Sequence, residues 1–273
     1  MCVMRRVRSI LTARENPEDM HTRVNQGKWW QAYIDDCGPE EPSYFSETMA
    51  RTIPIVPSRT RLLDLGCGSG IIGSFCLIEK QARFVTFTDL MPEWIARARS
   101  NVGNQIARGR IAPSQAAFTE PMPFENLSPE LVSQHDLICF NPPQLPTDYV
   151  AKEALEEIRT NAIEHTYRIG DIAENPDGLH VVQKFVAWHD RLPHPSPAAV
   201  ILLSSFLGSH RIEETLNSGG SDWKIICATR TPLRDFFGSH VAQMGDTERR
   251  YRRLEQTPSG WSKELFTVQI AGK

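Results

Sequence analysis

Arg61-Leu-Leu-Asp-Leu-Gly-Cys-Gly-Ser-Gly-Ile-Ile-Gly73 is the stretch on which the reading of this 273-residue chain turns. An apolar run interrupted by Asp64 gives way to glycines at alternate positions, Gly66, Gly68 and Gly70, and an apolar stretch resumes at once. The pattern predicts a buried strand, a tight turn and the first turn of a helix. Glycine tolerates positive φ and lets the backbone come close to a ligand. Such a turn delivers that ligand to the N-terminal end of the following helix.

Working outward, the chain alternates strand and helix. Strands are predicted at 61–65, 83–88, 111–117, 136–140, 198–204, 223–229 and 263–271, the last pairing antiparallel with the sixth. Helices are predicted at 44–51, 71–80, 92–102, 150–165, 181–192 and 210–217, with Pro92 at the favoured first helical position. Uninterrupted apolar strands between helices argue a doubly wound, Rossmann-like α/β fold with a seven-stranded, mostly parallel sheet. The domain expectation is an N-terminal helical arm at 1–58 that caps the substrate side, then a cofactor-binding domain at 59–273. Its segment 231–260 is too long for a hairpin turn and is expected to be a lid-like insertion.

In open α/β sheets the ligand lies across the carboxyl ends of the strands. Three candidates fall there: the turn after Leu65, Asp89 after the second strand and Asn141 after the fourth. Asp89 follows Asp64 by 25 residues, near the spacing of a ribose-binding acid. Gly68, Gly70 and Gly73 also satisfy the dinucleotide spacing, so the turn alone leaves the ligand open.

Asp64-Leu-Gly-Cys-Gly-Ser-Gly70 resembles motif I of the class I S-adenosylmethionine-dependent methyltransferases, and the segment 89–101 resembles the part of that family after its second strand. The resemblance implies S-adenosyl-L-methionine as cofactor. It implies cofactor contacts from Asp64, Gly66, Cys67, Gly68, Gly70 and Asn141, with Asp89 on the ribose and Leu90 and Met91 against the adenine. Asp136-Leu-Ile-Cys-Phe-Asn-Pro-Pro-Gln144 resembles the Asn-Pro-Pro-Tyr motif of the branch that methylates glutamine amides, exocyclic base amines and some small amines. Its prolines fix φ, and the Asn141 side chain and Pro142 carbonyl offer acceptors to an N–H pair. Phe45-Ser-Glu-Thr48 and Asn175-Pro-Asp-Gly-Leu179 resemble flanking segments of the glutamine-amide branch.

The fourth motif residue is Gln144 rather than an aromatic. A Pro-Gln there is similar to methionine S-methyltransferases, which implies a small-molecule acceptor, the methionine thioether or another amino acid or amine. Gln144 would then bind the acceptor's amino or carboxylate group, and Arg230 or Arg234 its carboxylate. Methylation of a protein glutamine or a nucleobase amine is the alternative. Trp29, Trp30 and Tyr33 form either a packing anchor or, with Tyr44, Glu47 and Thr48, part of a substrate wall. The run Arg249-Arg-Tyr-Arg-Arg253 reads as a solvated helix face.

Composition narrows the partners. A net charge of −3 is low for a protein that grips RNA or duplex DNA, so nucleic acid is not expected. Six scattered cysteines, without a Cys-x-x-Cys pair, suggest neither a disulfide framework nor a metal site. The expected location is the cytoplasm, with no membrane segment. The oligomeric state is open, a homodimer among the options.

Overall fold

The computed structural model describes residues 44–144, 178–233, 238–258 and 260–273, without the side chains of 44 and 238–240. Trp29, Trp30, Tyr33, Arg234, the helix expected at 150–165 and the segment 175–177 lie outside the described residues, as does the side chain of Tyr44.

In chain order the elements are α1 (Tyr44–Thr52), β1 (Arg61–Leu65), α2 (Ile71–Ile78), β2 (Phe84–Thr88), α3 (Pro92–Ala107) and β3 (Ala116–Phe118). There follow α4 (Pro129–Val132), β4 (Leu137–Phe140), α5 (His180–Asp190), β5 (Ala198–Ser204) and α6 (Ser209–Asn217). The chain ends with β6 (Trp223–Pro232), α7 (Gly238–Gln243), α8 (Asp246–Tyr251), β7 (Glu255–Thr257) and β8 (Gly260–Ile270). The strands form one sheet in the order β3-β2-β1-β4-β5-β8-β6, with β7 paired to β8. The pairs from β3 to β5 are parallel, and β8 runs antiparallel to β5 and to β6. This is the doubly wound, mostly parallel sheet that the alternation of elements predicts, with the small β7 as an addition. Three residues of Glu-Gln-Thr carry no apolar signal, which is why β7 is invisible in the sequence.

Strand side chains alternate between the two faces, so a strand buried on both reads as continuously apolar. Leu62, Val85, Phe87, Leu137, Cys139, Val200 and Leu202 point to a core shared with α1, α2 and α3. Leu63, Leu65, Ile138, Phe140, Ala199, Ile201 and Leu203 point to the opposite core, shared with α5 and α6. Met49 and Ile53, at the end of the expected N-terminal arm, belong to the first of these cores. The third strand is shorter than expected, 116–118, because Pro113–Gln115 forms a 3-10 turn instead.

The part of the expected insertion that is described sits against the sheet. Val241 and Met244 are buried, and the buried Arg252 donates to the Phe206 carbonyl and pairs with Glu248. Among the described residues no helix is long and apolar enough to cross a membrane.

A tight point of the fold lies under the glycine turn. A Cβ at Gly73 would stand 2.4 Å from Phe87 Cε1 and 2.9 Å from Asp64 Oδ2. Neither neighbour is the free end of a flexible side chain, so Gly73→Ala is expected to destabilise the protein by about 1–3 kcal/mol. Urea unfolding measures this directly; a midpoint equal to that of wild type would show that the core yields there.

Candidate functional site

The register of three neighbouring strands builds the site. Leu65 is level with Thr88 on one side and with Phe140 on the other. The residues that follow are therefore Asp89, Gly66 and Asn141, side by side along the carboxyl edge of the sheet. Neighbouring strands lie about 4.8 Å apart, so the row spans about 10 Å. Sequence positions 66, 89 and 141 converge only through this pairing.

The glycines take the conformations that their turn demands. Gly66, Gly68 and Gly70 have φ of 63°, 54° and 77°, in the left-handed region. A Cβ at Gly70 would come within 3.1 Å of Ala98 Cβ, so that glycine is also needed for close contact with α3. At Gly68 a Cβ would meet nothing within 4 Å, so the backbone there borders open space that a ligand can use. Asn101, buried on α3, donates its side-chain N–H to the Ser69 carbonyl at 2.8 Å and ties the turn to the helix. Its role was missed from sequence; the signal was an asparagine on the apolar helix face marked by Ile95, Ala98 and Val102.

Asp64 has an inward task. It is 1% exposed, and its two oxygens accept from Gly73 N–H at 3.0 Å and from the Cys139 thiol at 3.3 Å. Burial pushes its pKa up to about 7, against the opposing effect of those hydrogen bonds. The expectation of a direct cofactor contact is therefore corrected: Asp64 shapes the turn from beneath. Cys67 is likewise buried, with a thiol pushed up by burial, and its backbone N–H donates to the Thr88 carbonyl.

Asp89 lies at the edge. Its Oδ2 accepts from Gly68 N–H at 2.9 Å and its Oδ1 from Met91 N–H at 3.0 Å. A carboxylate has about four lone-pair sites, so acceptor capacity remains for a diol hydroxyl. Burial raises its pKa, opposed by the backbone hydrogen bonds from Met91, Gly68 and Leu90. Leu90 and Met91 are half-buried beside it. The loop after β3 closes that flank through Met122 N–H, which donates to the Asp89 carbonyl at 3.1 Å.

Asn141 is half-buried at the end of β4, and its amide makes no hydrogen bond with another described residue. Gln144 is engaged: its Nε2 donates to the Leu202 carbonyl at 2.6 Å and to the Pro142 carbonyl at 3.3 Å, and its Oε1 accepts from Ser204 N–H at 2.7 Å. It is not aimed outward at an acceptor's amino or carboxylate group, as the sequence reading had it. Arg230 is committed too. Its guanidinium pairs with Glu255 and with Glu264, the latter at 3.4 Å, and reaches Ser262 at 3.3 Å, so it is no open carboxylate receptor. Glu47 pairs with Arg51 at 3.0 Å on α1, and Thr48 is buried at 7% exposure. Neither is joined to the row of Asp89, Gly66 and Asn141 by a contact among the described residues. No group of three or more histidine, cysteine or carboxylate residues that could hold a metal occurs among the described residues.

This geometry meets its counterpart in known proteins. Residues 44–173 match the methyltransferase small domain. Over that segment the chain is similar to a family of S-adenosyl-L-methionine-dependent methyltransferase domains. The chain is 27% identical over 154 residues to the ribosomal RNA small subunit methyltransferase C of Mannheimia succiniciproducens, covering 56% of this chain and 38% of that protein. It is 27% identical over 127 residues to the tRNA1(Val) (adenine(37)-N6)-methyltransferase of Parabacteroides distasonis, covering 46% of this chain and 47% of that one. The chain thus spans less than half the length of these curated relatives. Among solved structures the YcgJ protein of Bacillus subtilis superposes with a TM-score of 0.51 at 11% identity, over 84% of this chain and 99% of that one, a likeness of fold.

The relatives overturn one expectation. Both are named for RNA, against the reading of a small-molecule partner with nucleic acid set aside. That reading rested on net charge, which averages over the whole chain, and on Gln144 and Arg230, whose polar groups are engaged within the protein.

The raised pKa of Asp64 has a consequence for stability. A carboxyl that holds its proton more tightly in the folded state contributes stability at low pH, and that contribution is lost as pH rises through the folded pKa. The window runs from the ordinary 3.8 to about 7. In urea unfolding from about pH 5 to about pH 8, wild type is expected to lose stability relative to Asp64→Asn and to level off above the folded pKa. A pH-independent difference between the two proteins would contradict a proton held at Asp64.

Proposed function

We propose that this chain is an S-adenosyl-L-methionine-dependent methyltransferase acting on an exocyclic amine of a nucleobase in RNA. The observation that carries the reading is the Asn141 amide at the end of β4, one strand away from the Gly66 turn and without a hydrogen-bond partner among the described residues. The names of the two RNA-directed relatives support the choice of acceptor.

In this reading Asp89 would hold the cofactor's diol through its remaining acceptor capacity, and Leu90 and Met91 would flank its adenine. The open backbone at Gly68 would accommodate the rest of the molecule. When bound, the cofactor would supply an electrophilic methyl on a sulfonium that leaves as the neutral thioether, and the proton lost by the amine would pass to solvent. Asn141 Oδ1 accepts one N–H of the incoming amine, and the Pro142 carbonyl, which keeps a second lone pair beside the Gln144 contact, accepts the other. An amine held by both N–H groups has its nitrogen lone pair directed out of that plane, toward the methyl. Orientation of this kind is the main source of acceleration where no strong base is required.

The test is incubation of the purified protein with methyl-labelled cofactor and, separately, total RNA, a protein extract and free amino acids. Label is expected in N-methylated nucleosides after nuclease digestion of the RNA; label in the protein or amino-acid fraction alone would overturn the acceptor. Asn141→Ala is expected to lower turnover by about a hundredfold with cofactor affinity unchanged. Asp89→Ala is expected to weaken cofactor binding about tenfold or more in calorimetry. Full affinity in that variant would remove the diol from Asp89.

A further inference from the structure

The sheet ladder between β4 and β5 has a fault where the site begins, and one side chain repairs it. The register pairs Phe140 with Ile201, so Leu202 is level with Asn141 and Leu203 with Pro142. In a parallel ladder the residue opposite Leu203 donates its N–H to the Leu202 carbonyl and accepts from Ser204 N–H. Pro142 has no N–H to donate. The Gln144 side chain meets both needs: Nε2 donates to the Leu202 carbonyl and Oε1 accepts from Ser204 N–H. A side-chain amide has the same donor and acceptor pair as a peptide, and this one stands where the proline peptide fails. Leu202 and Ser204 are 0% and 2% exposed, so water is a poor substitute.

We propose that Gln144 is a positioning residue for methyl transfer. Its amide acts as a surrogate ladder partner that fixes the Asn141-Pro142 peptide at the end of β4. The same Nε2 also donates to the Pro142 carbonyl at 3.3 Å, so the clamp grips the acceptor loop as well as β5. The reading of Asn141 as the acceptor-orienting group underlies this role. The residue chosen at this position is set by the backbone behind it rather than by the substrate in front.

Two variants test the clamp. Gln144→Met keeps length and removes both polar groups. It is expected to lower kcat on RNA about tenfold or more, with cofactor Kd unchanged. Gln144→Glu adds a diagnostic signature. Ionised, it presents an acceptor to two carbonyls; protonated, its O–H donates to Leu202 while its other oxygen accepts from Ser204. Its kcat relative to wild type is therefore expected to rise as pH falls, with one titration, while Gln144→Met shows no such recovery.

A wild-type kcat in Gln144→Met, even with a lowered Tm, would reduce Gln144 to a structural peg and overturn the proposal. A pH-independent ratio for Gln144→Glu would do the same. Should the wild-type protein methylate no RNA, the proposed function fails first, and amide hydrogen exchange judges the clamp alone. Faster exchange at Ser204 in Gln144→Met, with β1 unchanged, supports the clamp, and equal protection rejects it.

Discussion

A buried carboxylate between a backbone N–H and a thiol governs the centre of this structure. Asp64 accepts from Gly73 N–H and from Cys139, and so links β1 to the first turn of α2 and to β4. The three glycines between Asp64 and α2 have no side chains to hold them, and their positive φ values are stabilised by what lies below and beside them. Asn101 holds Ser69 from α3, and Asp89 holds Gly68 from the end of β2. The turn is thus a short piece of backbone fastened from three sides, and its open side is where a ligand fits.

The same economy appears at the other half of the site. An Asn-Pro-Pro sequence gives a rigid peptide, at the expense of a ladder hydrogen bond. Gln144 restores that bond from two residues further on. The glycine turn and the Asn-Pro-Pro loop are therefore both built by interrupting a strand, and a nearby polar side chain satisfies each interruption. Buried polar groups need such partners, since an unmade hydrogen bond costs about 1–3 kcal/mol.

Much of the fold was legible because parallel strands buried on both faces read as continuous apolar runs. β1, β4 and β5 fall where their hydrophobic stretches lie, and the antiparallel last strand was visible in its pairing potential with β6. The end of α3 was not. The helix continues to Ala107, past the expected 102, because the buried Gln105 still faces the core and Gly103 has open space around it. At the candidate site, the fold brings Gly66, Asp89 and Asn141 to one sheet edge but gives other polar residues inward tasks. Asp64, Gln144 and Arg230 were read as facing a ligand, and each is spent on the protein itself. Deciding whether a polar side chain points in or out requires the register, which brings Pro142 opposite Leu203 and Glu264 opposite Arg230. The expectation that set nucleic acid aside fails for a related reason: net charge carries no information about where charges lie.

The most direct measurement is a crystal structure with S-adenosylhomocysteine, the demethylated cofactor. The expected result places both ribose hydroxyls on Asp89 and the sulfur facing Asn141 across Gly66. A ligand bound with its ribose away from Asp89, or with its sulfur turned from Asn141, would contradict the site built on these three strand ends.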